Sequence, residues 1–135
     1  MISGLWWIIP QASNTQPAAT TSSRILLIES EPDLRDVLQE LFNSEGWSVS
    51  TVENGASGIA DFTSTLPDCV VCAYRLTDTD GISVVAHLKN LNQRVPVVVV
   101  SAYFEDDIEE RCYKSGADAF FMKPFDIQHF LKTIN

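Results

Sequence analysis

Positive charge is scarce in this 135-residue chain: nine Lys and Arg stand against eighteen Asp and Glu, a formal net charge of -9. Binding a nucleic acid depends on Lys and Arg neutralising phosphates, so this balance argues against DNA or RNA as a partner. Cysteine is also sparse. Three cysteines without a framework of spacings do not suggest a disulfide-stapled secreted protein, and they fit a reducing compartment, with cytoplasm expected. His87 and His129 have no Cys, Asp or Glu at metal-ligand spacing around them, which leaves no zinc pattern. No Ser-His-Asp arrangement or glycine-rich nucleotide loop is present either.

The first 23 residues lack charge altogether, since every Asp, Glu, Lys and Arg lies at or after Arg24. The sequence therefore divides into an uncharged tail, 1–23, and a domain, 24–135. The tail begins with an apolar stretch, Ile2 to Ile9, far shorter than the roughly 20 residues of a spanning helix and without a basic flank. Gln11 to Ser23 is rich in Ser, Thr, Gln, Ala and Pro, a composition that reads as a flexible linker. Trp6 and Trp7 have two readings: part of a disordered end, or an anchor that docks onto the domain, a partner or a membrane surface. Membrane contact, if any, is expected only through this tail.

From Arg24 onward, short apolar runs alternate with helical patterns. Ile25 to Ile28, Trp47 to Val52, Cys69 to Cys72, Val95 to Val100 and Ala119 to Met122 read as strands. Between and after them, Leu34, Val37, Leu38, Leu41 and Phe42, then Ile59, then Ile82, Val85 and Leu88, then Phe104, Ile108 and Cys112, then Ile127, Phe130, Leu131 and Ile134 mark five helices. Five βα units with right-handed crossovers predict a doubly wound, five-stranded parallel α/β sandwich of the flavodoxin type. Its ligand crevice lies at the carboxyl ends of the strands. Glu29, Ser30, Ala73, Ser101 and Lys123 follow or end strands and should meet there.

Several motifs carry a more specific likeness. Ile25 to Leu34 contains an acidic residue at a strand end, Val100 to Tyr103 a hydroxyl at another, and Gly116 to Phe125 a Lys-Pro pair after a third; Asp68 to Gly81 supplies the intervening strand and loop. Together they resemble the receiver domain of response regulators in two-component signalling, over essentially all of 24–135. The resemblance implies phosphoryl transfer from a histidine kinase to a strand-end aspartate, helped by Mg²⁺, a hydroxyl and a lysine. Here Ala73 stands at the acceptor position and Ser30 at that of a direct metal-binding aspartate, while Glu29, Ser101 and Lys123 keep the family's character.

A methyl group is no nucleophile, and Mg²⁺ needs one or two carboxylates at near-octahedral geometry. The expectation is therefore a degenerate pseudo-receiver that is not an enzyme, takes no cofactor, and binds Mg²⁺ weakly or not at all. With its nucleophile gone, Lys123 should pair with Glu29. Output in the family is read on the face formed by the fourth helix, fifth strand and fifth helix, which maps here to Phe104, Ile108, Arg111, Phe120, Phe125 and His129. Partners are expected to be signalling proteins, such as a histidine kinase or an output protein, bound without phosphorylation. Two alternatives stand beside this reading: a receiver phosphorylated at a non-standard residue in a phosphorelay, and the regulatory domain of a longer protein.

Asp78 and Asp80 read as turn residues, and Glu31 and Asp33 as first-turn acids. Glu105 to Glu110 is an acidic run at a helix start, either a solvated face or a docking surface for a basic partner. Cys69 and Cys72 form a literal C-x-x-C, but residues three apart on a strand point to opposite faces. They are expected to be buried, separate thiols.

Overall fold

Three central strands rich in Val, Leu and Ile set the architecture, because each is apolar on both sides and must be covered on both, while the edge strand Ser48–Val52 carries Ser and Thr and is only partly buried. The computed structural model describes residues 23–102 and 106–122. Within them the order is β1 (Arg24–Ile28), α1 (Pro32–Ser44), β2 (Ser48–Val52), α2 (Gly55–Thr65), β3 (Cys69–Ala73), α3 (Gly81–Leu91), β4 (Val97–Ser101), α4 (Ile108–Ser115) and β5 (Ala119–Met122). All strand pairs are parallel, in the spatial order β2-β1-β3-β4-β5. This is the expected doubly wound sheet. Four of the five expected helices are seen; the last, around Ile127 to Ile134, lies outside the described residues, as do Trp6 and Trp7.

Alternation along the strands divides the core in two. Ile25, Leu27, Val71, Ala73, Val98 and Val100 face Leu38 and Phe42 of α1 and Trp47. Leu26, Ile28, Val70, Cys72, Val97 and Val99 face the opposite layer, with Phe62 of α2, Val84, Val85 and Leu88 of α3, and Ile108 and Cys112 of α4. Cys69 lies in the first layer and Cys72 in the second, so the two sulfurs are separated by the sheet. Burial is the first cause pushing both thiols up, Cys69 to about 12. Neither is a redox pair.

Element boundaries shift by one or two residues from the sequence reading, each for a local reason. Gly46 takes φ +97° after α1 and turns the chain so that Trp47 enters the core, and β2 begins one residue later. β4 begins at Val97 because Pro96 has no N–H to give, although its carbonyl still accepts from Val70 N at 2.9 Å. The acidic run opens α4 later than the apolar spacing suggested, with Asp107 at the N-cap and Glu109 and Glu110 in the first turn. Carboxylates there complement the helix dipole. On the opposite rim, Lys89 Nζ binds Asp118 at 2.8 Å and the Val95 carbonyl at 2.9 Å, tying α3 to the residues before β4 and β5.

One close approach fixes the start of α3. Gly81 N donates to the Tyr74 carbonyl at 2.6 Å, and a Cβ at position 81 would lie 2.7 Å from the Ala73 carbonyl oxygen and 2.9 Å from Tyr74 Cα. Both obstacles are backbone, so neither can swing aside. Gly81→Ala is expected to destabilise the fold by about 1–3 kcal/mol through this overlap, read as a lower urea midpoint. An unchanged midpoint would show that α3 can shift at little cost.

Candidate functional site

The carboxyl ends of β1, β3 and β4 are aligned by register: Ile28 pairs with Cys72, and Ala73 with Val100. That alignment gathers the loop residues into a small cleft of about 130 Å³ lined by Glu29, Ser30, Glu31, Arg75, Val100, Ser101 and Ala102. Glu29 and Ser101 are 2% and 1% exposed, the two polar residues buried among the described ones. Three of the five expected site residues thus line one space. Ala73 ends β3 beside it but turns its methyl into the apolar layer under α1, 2% exposed. Lys123, and with it the expected Glu29 to Lys123 contact, lies outside the described residues.

Ser30 is committed to the protein itself. Its hydroxyl donates to the Glu53 carbonyl at 2.7 Å and accepts from Thr77 N at 3.2 Å. It therefore joins the loops after β1, β2 and β3. A carboxylate can only accept, so an ionised aspartate could not make both bonds. The sequence identified Ser30 as a missing acid; it gave no sign of this bridge, whose partners lie 23 and 47 residues away. Glu29 Oε2 accepts from Glu31 N at 3.0 Å, and Arg35 of α1 folds back so that Nη1 donates to the Glu29 carbonyl at 2.7 Å. Arg75 is a cleft residue that sequence reasoning did not single out. Only its place two residues beyond the third strand could have marked it.

Comparison with known proteins matches the response regulator receiver domain model over residues 25–135. The chain belongs to the response regulator receiver domain family. It is 30% identical over 113 residues to sporulation initiation phosphotransferase F of Bacillus subtilis (strain 168), covering 84% of this chain and 91% of that protein. It is 33% identical over 114 residues to transcriptional regulatory protein PrrA of Mycobacterium leprae (strain TN), covering 84% of this chain but 49% of PrrA. The chain thus spans about half the length of that relative. The fold is that of a solved two-component response regulator from Clostridium difficile, with a TM-score of 0.78 at 23% identity over 82% of this chain and 90% of that one.

On the face where receivers meet their signalling partners, one expectation needs correction. Ile108, placed there by the family resemblance, is 1% exposed and packs in the core layer with Cys112, Val85 and Leu88. It is the first residue of α4 and points at the sheet. Arg111 is on the surface, 3.6 Å from Asp107 one turn earlier. Phe120 is half-buried against the same core layer as Ile108. Phe104, Phe125 and His129 lie outside the described residues. Tyr113, missed by sequence reasoning, is 44% exposed and lies with Asp106, Glu109, Glu110 and Lys114 on the outer side of α4. Among the described residues no group of three or more His, Cys, Asp or Glu could hold a metal ion, and no helix is long and apolar enough to cross a membrane.

The loop after β3 is held by its own acids. Asp80 caps α3 by accepting from Ser83 N at 2.9 Å. Asp78 instead reaches across to the start of α2, taking Gly55 N at 2.8 Å and Ala56 N at 3.0 Å. These two backbone donors hold the Asp78 carboxyl below its usual value. Folding then favours the charged form: the stabilisation is complete above the unfolded carboxyl's pKa, about 3.9, and is lost as pH falls through the lower folded value. Asp78→Asn is expected to be less stable than the parent at pH 7, with the gap narrowing as acid protonates the parent's carboxyl. Urea unfolding at pH 7 and at successively lower pH below about 3.9 reads this, and a gap that stays constant would discount the pairing.

Proposed function

We propose that this receiver is a phosphorylation-independent protein-interaction module in signal transduction, with no catalytic step of its own. The observation that carries the proposal is the end of β3, where Ala73 presents a methyl, 2% exposed, packed in the core. Accepting a phosphoryl group requires a nucleophile at the crevice, and this position supplies none. The nearby acids Asp78 and Asp80 already cap α2 and α3. Ser30 spends its hydroxyl on loop-to-loop bonds, which argues against a metal ligand there. Glu29 and Glu31, with Arg75 in the same cleft, form a poor Mg²⁺ site, so binding should be weak or absent.

The loops that a phosphorylated receiver would rearrange are here cross-linked by neutral and capping bonds. Partner binding is then constitutive. Its surface centres on the outer side of α4, where Asp106, Glu109 and Glu110 favour a signalling protein with a basic patch, such as a kinase or output protein. A second reading, that this is the regulatory part of a longer protein, is favoured by coverage of 49% of PrrA; extending the coding sequence past Asn135 would decide it.

The proposal is tested by adding beryllofluoride or acetyl phosphate with Mg²⁺ and following the amide NMR spectrum. Unchanged resonances at Ser30, Ser101 and Phe120 are expected. Shifts centred on those three would overturn it and favour phosphorylation at a non-standard residue.

A further inference from the structure

At the end of the sheet opposite the crevice, a groove of about 480 Å³ runs between the C-termini of α2 and α3, its walls including Phe62, Leu66, Pro67, Asp68, Leu91 and Val95. Its size falls in the range of pockets that hold a compact organic group. Its apolar rim is unusually open: Leu66 is 72% exposed and Leu91 is 50% exposed. Leu66 also adopts φ 53°, the left-handed conformation at the C-cap of α2. A leucine there costs about 1–2 kcal/mol relative to the right-handed region, and its exposed side chain recovers little of that in the domain as described.

The groove lies beside the root of the N-terminal tail. Asp68 on its wall accepts from Arg24 N at 2.8 Å, Asp68 N donates to the Arg24 carbonyl at 2.9 Å, and Arg24 Nη1 reaches the Thr65 carbonyl. The chain therefore enters β1 at the groove's edge. Between that point and the apolar residues Leu5, Trp6, Trp7, Ile8 and Ile9 lies the uncharged stretch 10–23. Coil statistics give fourteen residues a root-mean-square span of roughly 20 Å, enough to double back onto a groove that starts within hydrogen-bond reach of Arg24.

We propose that the segment Leu5 to Ile9 occupies this groove in cis, with an indole covering Leu66 and Leu91. Tethering supplies an effective concentration of about millimolar, so a modest apolar contact suffices to fill the groove. An indole also offers an N–H, and Asp68 is the carboxylate acceptor on the wall. Basic partners would find nothing to neutralise in the segment, which carries no charge, while Phe62, Leu66, Pro67, Leu91 and Val95 give the groove an apolar side that matches its composition, beside the polar Thr63, Asp68 and Asn92. The tail thereby shields an apolar patch on its own domain. The inference is independent of phosphorylation, because the groove and the crevice lie at opposite ends of the strands.

The test uses the full chain and its amide spectrum, with Trp6→Ser/Trp7→Ser and Leu66→Glu/Leu91→Glu as variants. Leu66 and Leu91 lie outside the two core layers, and Trp47, 4% exposed, serves as a fold control. Removing the indoles should move the amides of Phe62, Leu66, Asp68 and Leu91 and leave Ser30 and Ser101 in place. Charging the groove should make the tail tryptophans more accessible to acrylamide while Trp47 stays protected. Groove amides unmoved by the loss of both indoles would overturn the proposal. So would shifts that vanish on about tenfold dilution, since an intramolecular contact does not depend on concentration and a second copy would then be the occupant.

Discussion

Two hydrogen bonds from one hydroxyl organise the functional end of this molecule. Ser30 gives its proton to the carbonyl of Glu53 and takes one from the amide of Thr77, so three loops close on a side chain with no charge. In a receiver that works by phosphoryl transfer, holding those loops near one another involves acids that repel and a cation that reconciles them. A neutral donor-acceptor removes the repulsion. Asp78 extends the same network sideways to the first turn of α2, and Asp80 anchors the next helix.

That network rests on a backbone packing constraint. The start of α3 sits against the end of β3 closely enough that a side chain at position 81 would overlap the main chain. Strand register does the rest, since Ala73 opposite Val100 brings Glu29 and Ser101 to the same level. The cleft is thus a product of the sheet. The shape of the site is held by the hydrophobic layers on either side of the sheet.

The sheet was legible in the sequence because fully buried strands are written as short apolar runs, and Val97 to Val100 could be little else. Positions at strand ends were legible for the same reason: Glu29, Ser30 and Ser101 share a cleft as their places in the βα units imply. What sequence could not show were bonds between distant loops. Ser30 to Glu53 and Asp78 to Gly55 join residues that no periodicity relates. Ile108 failed for a different reason: it was assigned to the interaction face by mapping the family's output face onto the chain, whereas its helical spacing with Cys112 marks the apolar side of α4, which packs inward. Arg75 had no pattern at all to announce it.

The three cysteines give this chain an unusual indifference to its chemical surroundings. Cys69, Cys72 and Cys112 are free and fully buried, divided between the two layers, and burial is the first cause raising each thiol. The reactive species is the thiolate, which such interiors suppress. Peroxide, electrophiles and alkylating reagents therefore meet no nucleophilic sulfur while the domain is closed. The packing of the core thus shields the sulfur atoms of this scaffold from accidental modification.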